Sequence, residues 1–349
     1  MKKTFLYQNH LENDAQMINF SEWEMPLNYG SQIEEHKAVR TKIGMFDVSH
    51  MTVFQFEGKH KIEFLRKLLA NDIRKIIGKN KGLYSLILNH KAGIIDDVIA
   101  YHVENEFFLV SNCATYDKDK KWLESNAKSY EVNVKHRDDL GILAIQGPLS
   151  DGIVSKILDC NCKEMSAFDV QVVNEVIVAK TGYTGELGFE LIAPGEILIK
   201  FWENMLKLNV MPIGLGARDT LRIEAGYCLY GKDMDESINP FECGLGWTID
   251  MDDTQRAFIG KDSLQNIDIK KSRKLVGVIL NHKGVLRTGY KLTDGDSKGE
   301  ILSGSFSPML KKSIGFARTD PEFGLKGKVL IRNNALNVEI VSPRFIKKR

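Results

Sequence analysis

The pattern of secondary structure along the chain changes near residue 270, and this change constrains the fold more than any other feature of the sequence. Before it, β-rich runs such as residues 51–56 and 170–178 alternate with segments of helical spacing such as residues 60–69 and 196–208. The alternation lacks the regular rhythm of a doubly wound sheet, and the Gly-x-Gly at residues 214–216 lacks the third glycine of a dinucleotide-binding fingerprint. The sequence therefore predicts an α+β fold.

Beyond residue 270 short strands follow one another, separated by Gly, Asn and Asp, which predicts a small sandwich or barrel. The expected strands are residues 275–280, 298–303, 313–317, 328–331 and 337–341. We therefore expect one unit at residues 1–270 and a second at residues 271–349. Only 8 of the 349 residues are proline, and no low-complexity linker divides them, so the parts should be closely packed or interwoven. The basic end, residues 344–349, is expected to be a solvated tail.

Composition excludes several classes of function. Lys plus Arg number 48 and Asp plus Glu 46, a net charge of only +2, whereas nucleic-acid binding needs a clustered excess of cations. The longest segment without these charges is eleven residues, 140–150, too short for a membrane-spanning helix, and the N-terminus lacks the apolar region of a signal peptide. The five cysteines include no Cys-x-x-Cys, so we expect reduced thiols and no metal site. These features favour a cytoplasmic protein that binds neither nucleic acid nor membrane.

Two adjacent carboxylates interrupt a β-branched run at residues 93–101 (GIIDDVIAY). Successive side chains on a strand point to opposite faces, so Asp96 and Asp97 cannot share a proton. We expect one of them to face a buried side or a cleft and the other to face water. Tyr101 lies four residues from Asp97, on the same face of a regular strand. From the residues alone, two interpretations remain open: a strand end with two solvated aspartates, or a catalytic aspartate.

Two glycine-rich segments carry further candidate site residues. Residues 181–190 (TGYTGELGFE) are either a plain hairpin or a bend that brings Tyr183 and Glu190 to a ligand. Residues 214–224 open a helix with Arg218 near its start, where a cation opposes the helix dipole, so contact with an anionic ligand is a natural role. The lone His50, by contrast, has no second metal ligand nearby and is expected to be structural.

In combination these segments resemble the T-protein family of the glycine cleavage system, the tetrahydrofolate-dependent aminomethyltransferases. The resemblance runs in order along nearly the whole chain. The motifs that carry it are residues 20–27, 44–51, 93–97, 182–186, 214–224, 229–236, 284–287 and 299–308.

The family resemblance implies a cloverleaf of three parts: two interwoven α+β lobes, one of them ferredoxin-like, and a C-terminal antiparallel β-barrel, with folate in the central hole. The implied donor is the aminomethyl group on the lipoyl arm of the H-protein, with the P- and L-proteins as pathway partners. The implied products are 5,10-methylenetetrahydrofolate, ammonia and the dihydrolipoyl carrier.

The resemblance also assigns roles to individual residues. Asp97 matches the catalytic aspartate, which would stabilise the cation that develops as ammonia leaves and take or relay the N5 proton of the folate. Glu190 would accept hydrogen bonds from the guanidine-like edge of the pterin, and Arg218 would pair with the glutamate tail. The remaining implied folate contacts are Met51, Tyr84, Tyr101, Asn112 and Tyr183.

Two alternatives remain beside this hypothesis. One is another folate-dependent one-carbon transferase or demethylase of the same superfamily. The other is a non-catalytic folate-binding protein that assists iron–sulfur enzymes, although the Lys-Gly-Cys-Tyr-x-Gly-Gln stretch of that branch is absent here. The chain also departs from the family pattern at Ala92, where a glycine is common, and at residues 343–345 (PRF), where relatives have a Pro-Phe pair.

Overall fold

A computed structural model describes residues 1–332 and 334–347. Its helices are α1 (Tyr7–Glu12), α2 (Gln32–Thr41), α3 (Lys61–Leu68), α4 (Tyr116–Ala127), α5 (Ser150–Leu158), α6 (Gly195–Lys207), α7 (Leu215–Ala225) and α8 (Lys261–Gln265). None of these helices has the length and apolar character needed to cross a bilayer.

The strands form three open sheets and one closed barrel. Those before residue 270 are β1 (Lys2–Lys3), β2 (Gln16–Phe20), β3 (Trp23–Asn28), β4 (Gly44–Asp47), β5 (Thr52–Glu57), β6 (Lys81–Leu88), β7 (Ile94–Val103), β8 (Glu106–Ser111), β9 (Asn133–His136), β10 (Leu140–Gln146), β11 (Val170–Val173), β12 (Val176–Ala179), β13 (Gly188–Pro194) and β14 (Met211–Pro212). Those after it are β15 (Lys274–Leu280), β16 (Lys291–Thr293), β17 (Lys298–Ser307), β18 (Lys312–Thr319), β19 (Lys326–Ile331) and β20 (Asn334–Val341).

Two of the open sheets are interwoven along the chain. A six-stranded sheet has the order β11-β12-β13-β10-β4-β14, and a five-stranded antiparallel sheet has the order β6-β7-β8-β5-β9. The chain leaves the first sheet after β4, builds the whole second sheet, and returns at β10. Apolar residues of α5 and α6 cover one face of the six-stranded sheet, and those of α3 and α4 cover one face of the other. The inner faces of both sheets enclose a common core with α7, which confirms the predicted α+β class.

One predicted β-rich run differs in detail from the structure. Residues 170–178 form a hairpin of β11 and β12, because Asn174 and Glu175 adopt positive φ angles of 49° and 67°. Two consecutive residues in this conformation make the tight turn whose twist matches that of paired strands. The turn contains no glycine, so it was not predicted.

The C-terminal strands close into an antiparallel barrel of order β15-β18-β17-β16-β19-β20, with β20 paired to β15. Its interior is filled by alternate apolar side chains, among them Val278, Ile301 and Val338. The barrel that the turn-rich pattern predicted is confirmed. The short β16 was not expected, because three residues are too few to display an alternating pattern.

Helix α7 joins the lobes to the barrel through buried ion pairs. The Glu224 carboxylate accepts hydrogen bonds from His36 Nε2 and Arg40 Nη2, both at 2.8 Å and both on α2. Two residues earlier on α7, Arg222 pairs with Asp233 at 2.6 Å and donates to Ser303 Oγ of β17 at 2.7 Å. Buried charges require such partners, so these contacts fix the relative positions of α2, α7 and the barrel.

The C-terminal segment packs against α7 and the barrel, so the prediction of a solvated tail is wrong for Phe345 and Ile346. Their backbone amides donate to the Glu224 carbonyl oxygen at 3.0 and 3.2 Å, and the Phe345 ring stacks on Phe316. The apolar residues between the basic ones give this segment a surface to bury. Residues 348 and 349 lie outside the described part of the chain.

Candidate active site

A central cavity of about 450 Å³ lies where the two lobes and the barrel meet. Strands β6 and β7 form one wall, β13 and α7 form another, and the loop after α7 together with Leu275, Pro343 and Arg344 closes it. This volume is in the range of sites that hold a small organic ligand. Seven of the eight residues that the sequence singled out line this cavity: Met51, Tyr84, Asp97, Asn112, Tyr183, Glu190 and Arg218.

The Asp97 carboxylate is held at the cavity wall by one donor on each oxygen. The Tyr84 hydroxyl donates to Oδ2 at 2.9 Å, and Asn112 Nδ2 donates to Oδ1 at 2.9 Å. Burial, together with the nearby charge of Asp96, raises the pKa of Asp97 to about 7. A carboxyl group with this pKa can both accept and release a proton near neutral pH.

Strand alternation separates the two aspartates, as expected, but neither of them faces open water. Asp96 points to the opposite face of β7, where it is fully buried. It accepts hydrogen bonds from the Asn112 backbone amide at 3.0 Å, from Asn112 Nδ2 at 2.8 Å and from Thr115 Oγ1 at 3.1 Å. The expectation that one of the pair is solvated is wrong because α4 covers this face of the sheet.

Glu190 lies across the cavity on β13, and burial raises its pKa. The hydroxyl of Thr181 donates to its Oε2 atom. Tyr101 does not line the cavity: its ring is buried over Gly82, where any Cβ would come within 2.9 Å of it, and its hydroxyl lies 3.4 Å from Thr181 Oγ1. Tyr101 therefore supports the Thr181–Glu190 contact from behind.

Arg218 offers a cation to the cavity. In the described part of the chain its side chain makes no hydrogen bond or ion pair, and its guanidinium lies 4.5 Å from the centre of the Tyr183 ring. The Tyr183 ring also stacks on Tyr227, and its hydroxyl donates to the Cys228 carbonyl oxygen. The guanidinium is thus held by an aromatic face while its donors stay available for an anion.

Sequence reasoning missed several lining residues. The ring of Trp247 stacks on Tyr84 with centroids 5.8 Å apart, although 69% of the tryptophan is exposed. Tyr227, Cys228 and Tyr230 line the cavity from the loop after α7. Two features of the sequence could have identified these residues: the aromatic residues of this loop, and the tryptophan in the glycine-rich residues 244–247.

No group of three or more His, Cys, Asp or Glu in residues 1–332 and 334–347 is arranged to hold a metal ion.

Models of known protein families match both parts of the chain. Residues 6–253 match the model of the GCVT N-terminal domain, and residues 273–347 match that of the glycine cleavage T-protein C-terminal barrel domain. The chain belongs to the glycine cleavage T-protein family. The predicted family and fold class, and the enzyme class of aminomethyltransferase in the glycine cleavage system, are therefore confirmed.

Individual T-proteins are similar over their full length. The aminomethyltransferases of Francisella tularensis subsp. holarctica strain LVS and subsp. tularensis strain SCHU S4 are each 45% identical, over 99% of this chain and 98% of their own. The crystal structure of the glycine cleavage system aminomethyltransferase T from Bartonella henselae superposes with a TM-score of 0.94 at 29% identity, covering 100% of this chain and 99% of that one. Membership of the T-protein family implies use of tetrahydrofolate and partnership with an H-protein.

Proposed function

We propose that the central cavity binds tetrahydrofolate and that Asp97 is the catalytic residue for transfer of an aminomethyl group from the lipoyl arm of the H-protein. The products would be 5,10-methylenetetrahydrofolate, ammonia and the dihydrolipoyl carrier. The observation that carries this proposal is the Asp97 carboxylate, held by Tyr84 and Asn112 at the wall of a cavity of ligand size. In this transfer the folate supplies N5 as the nucleophile.

Asp97 can serve the reaction in two ways. Its negative charge stabilises the positive charge that develops on the aminomethyl carbon as ammonia leaves. Its raised pKa, about 7, suits it to take the proton that N5 must lose. Both roles require the ionised form of Asp97. The hydrogen bonds to its two oxygens orient the carboxylate in this form without protonating it.

The chemistry of the ligand supports separate binding roles for the other cavity residues. A pterin has a guanidine-like edge that matches the carboxylate of Glu190, and a folate tail carries carboxylates that match the fork of Arg218. Tyr84 and Tyr183 offer aromatic surfaces, Met51 an adaptable apolar wall, and Asn112 an amide. Tyr101 would act on the folate only indirectly, through Thr181 and Glu190.

The proposed partners, and the proposed division of the chain into two units, are those expected for a member of the T-protein family. The P- and L-proteins would act in the same pathway, and the H-protein would deliver its lipoyl arm to the cavity. We keep the division into residues 1–270 and 271–349, which is supported by the start of the barrel strands at Lys274. A cytoplasmic location stays a prediction.

The proposal is tested by release of ammonia from an aminomethylated lipoyl carrier in the presence of tetrahydrofolate. We expect Asp97→Asn to lower kcat by about 100-fold or more while folate still binds, since the variant keeps the shape of the side chain and loses its charge and basicity. Ammonia release should depend on the lipoyl carrier.

Asp117→Asn is the matched control, because Asp117 is an exposed aspartate on α4 outside the cavity. It should keep full turnover. Unchanged turnover in Asp97→Asn would contradict the catalytic assignment, and folate binding without any ammonia release by the natural protein would favour the non-catalytic alternative.

A further inference from the structure

Two cysteine thiols face each other outside the cavity, in the turn that follows α5. The Sγ atoms of Cys160 and Cys162 are 3.2 Å apart, which is closer than the van der Waals contact of two sulfur atoms. Both residues pack with the apolar side chains of α5 and α6 that cover the outer face of the six-stranded sheet. The proposed reaction uses neither thiol.

The backbone and the side chains of this pair are held by two neighbouring residues. The Cys160 amide donates to the Ser155 carbonyl oxygen at 3.1 Å, and the Cys162 amide donates to Ser155 Oγ at 3.0 Å. Gln171 of β11 directs its Nε2 atom at both sulfur atoms, at 3.6 and 3.7 Å. A disulfide bond is about 2.0 Å long, so the sulfur atoms need to approach by only about 1 Å, which small side-chain rotations allow.

The two thiols differ in their access to solvent. Cys160 is partly exposed, whereas Cys162 is fully buried. Burial, together with the neighbouring Cys160, raises the pKa of Cys162 to about 12, so this thiol stays protonated near neutral pH. A reagent that arrives from solvent therefore meets Cys160 first, and Cys162 is placed to react in a second step.

Two other buried thiols are directed at backbone oxygens instead. Cys228 Sγ donates to the Cys243 carbonyl oxygen at 3.6 Å, and Cys243 Sγ donates to the Pro240 carbonyl oxygen at 3.5 Å. Buried thiols in such surroundings are chemically inert. The Cys160–Cys162 pair should therefore differ from them in its reaction with an oxidant.

We propose that Cys160 and Cys162 form a reversible oxidation site, at which a hydroperoxide converts the two thiols to a disulfide. The Cys160 thiolate attacks the terminal oxygen of the hydroperoxide and the O–O bond breaks, which gives a sulfenic acid on Cys160 and an alkoxide that takes a proton from solvent. The Cys162 sulfur then attacks the sulfenic sulfur, the S–O bond breaks, and hydroxide leaves with the Cys162 proton as water.

The electrons balance in this sequence. The two thiols together lose two electrons and two protons, and the hydroperoxide is reduced to an alcohol and water. A dithiol returns the pair to the reduced state by thiol–disulfide exchange. The inference does not depend on the function proposed for the cavity.

Hydrogen peroxide treatment followed by mass spectrometry tests the proposal on the natural protein. Trypsin releases both cysteines in one peptide, residues 157–163 (ILDCNCK), which contains no methionine. After free thiols are alkylated, this peptide should lack two hydrogen atoms and carry no alkyl group, and the number of free thiols should fall from five to three. Dithiothreitol should restore all five.

Three results would overturn the proposal. One is a peptide that keeps both thiols while Cys228 or Cys243 is oxidised. Another is a peptide that gains oxygen without losing the two hydrogen atoms. The third is a disulfide that links two molecules instead of these two residues.

Serine variants test the order of the two steps. Cys162→Ser lacks the second thiol, so the sulfenic acid on Cys160 should persist and be trapped by dimedone. Cys160→Ser leaves only the buried thiol, so dimedone labelling at this site should be lower by about ten-fold or more. Cys113→Ser is the matched control, because Cys113 is also partly exposed, and it should form the disulfide at the natural rate. Equal labelling of Cys162→Ser and Cys160→Ser would overturn the proposal that Cys160 reacts first.

Discussion

The ion pair between Arg222 and Asp233 should be among the largest single contributions to the stability of this protein. Arg222 is 1% exposed and Asp233 fully buried, and the guanidinium nitrogen lies 2.6 Å from the carboxylate. The same carboxylate accepts from Ser303 Oγ of the barrel at 2.6 Å and from the Leu229 amide at 2.8 Å. Asp233→Asn would leave the arginine buried without its main counter-charge, which costs about 3–5 kcal/mol.

The chain supplies an internal control for this substitution. Asp219 contacts the same guanidinium at 2.9 Å, but its side chain is 37% exposed, so Asp219→Asn should lower the free energy of unfolding by less than about 1 kcal/mol. Urea denaturation followed by tryptophan fluorescence measures both variants. Equal losses, or a loss below about 1 kcal/mol for Asp233→Asn, would refute the assignment of a buried, desolvated pair.

Two further predictions concern the cavity. Tyr84→Phe removes a hydrogen bond that lowers the pKa of Asp97, so the acidic limb of kcat/KM for ammonia release should move to higher pH. An unmoved limb would argue against Asp97 as the titrating group. Arg218→Ala should weaken tetrahydrofolate binding by about ten-fold or more, with Arg218→Lys in between, because lysine keeps the charge and loses the planar fork. If calorimetry gives Arg218→Ala the same dissociation constant for tetrahydrofolate as Asp97→Asn, the role proposed for Arg218 is contradicted.

The parts of the fold that could be predicted are those with a local pattern. Period-two alternation correctly separated Asp96 from Asp97, and the turn-rich C-terminal segment predicted the barrel. The helices at residues 60–69 and 196–208 were found within one residue at each end, at Lys61–Leu68 and Gly195–Lys207, because each has an apolar stripe at helical spacing.

Contacts between residues distant in sequence could not be predicted. His36 and Glu224 are 188 positions apart, and a glutamate on an amphipathic helix is normally expected on the solvent side. Glu224 is instead fully buried, because α7 is enclosed by α2, the sheets and the barrel. The position of Tyr101 behind Thr181 escaped prediction for the same reason, since strand alternation gives the face of a side chain but not what covers that face.

The arrangement of the cavity explains why the lobes are interwoven and the barrel is attached. Asp97 belongs to the five-stranded sheet and Glu190 to the six-stranded one, while Arg218 lies on the helix that joins them to the barrel. The loop that closes the cavity is held by Arg222 through the Tyr227 carbonyl oxygen at 3.0 Å and by Asp233 through the Leu229 amide. Neither lobe alone contains the site, and the buried pair that attaches the barrel also fixes this loop. Loosening the barrel in Asp233→Asn should therefore weaken folate binding as well as stability, whereas Asp97→Asn should affect turnover alone.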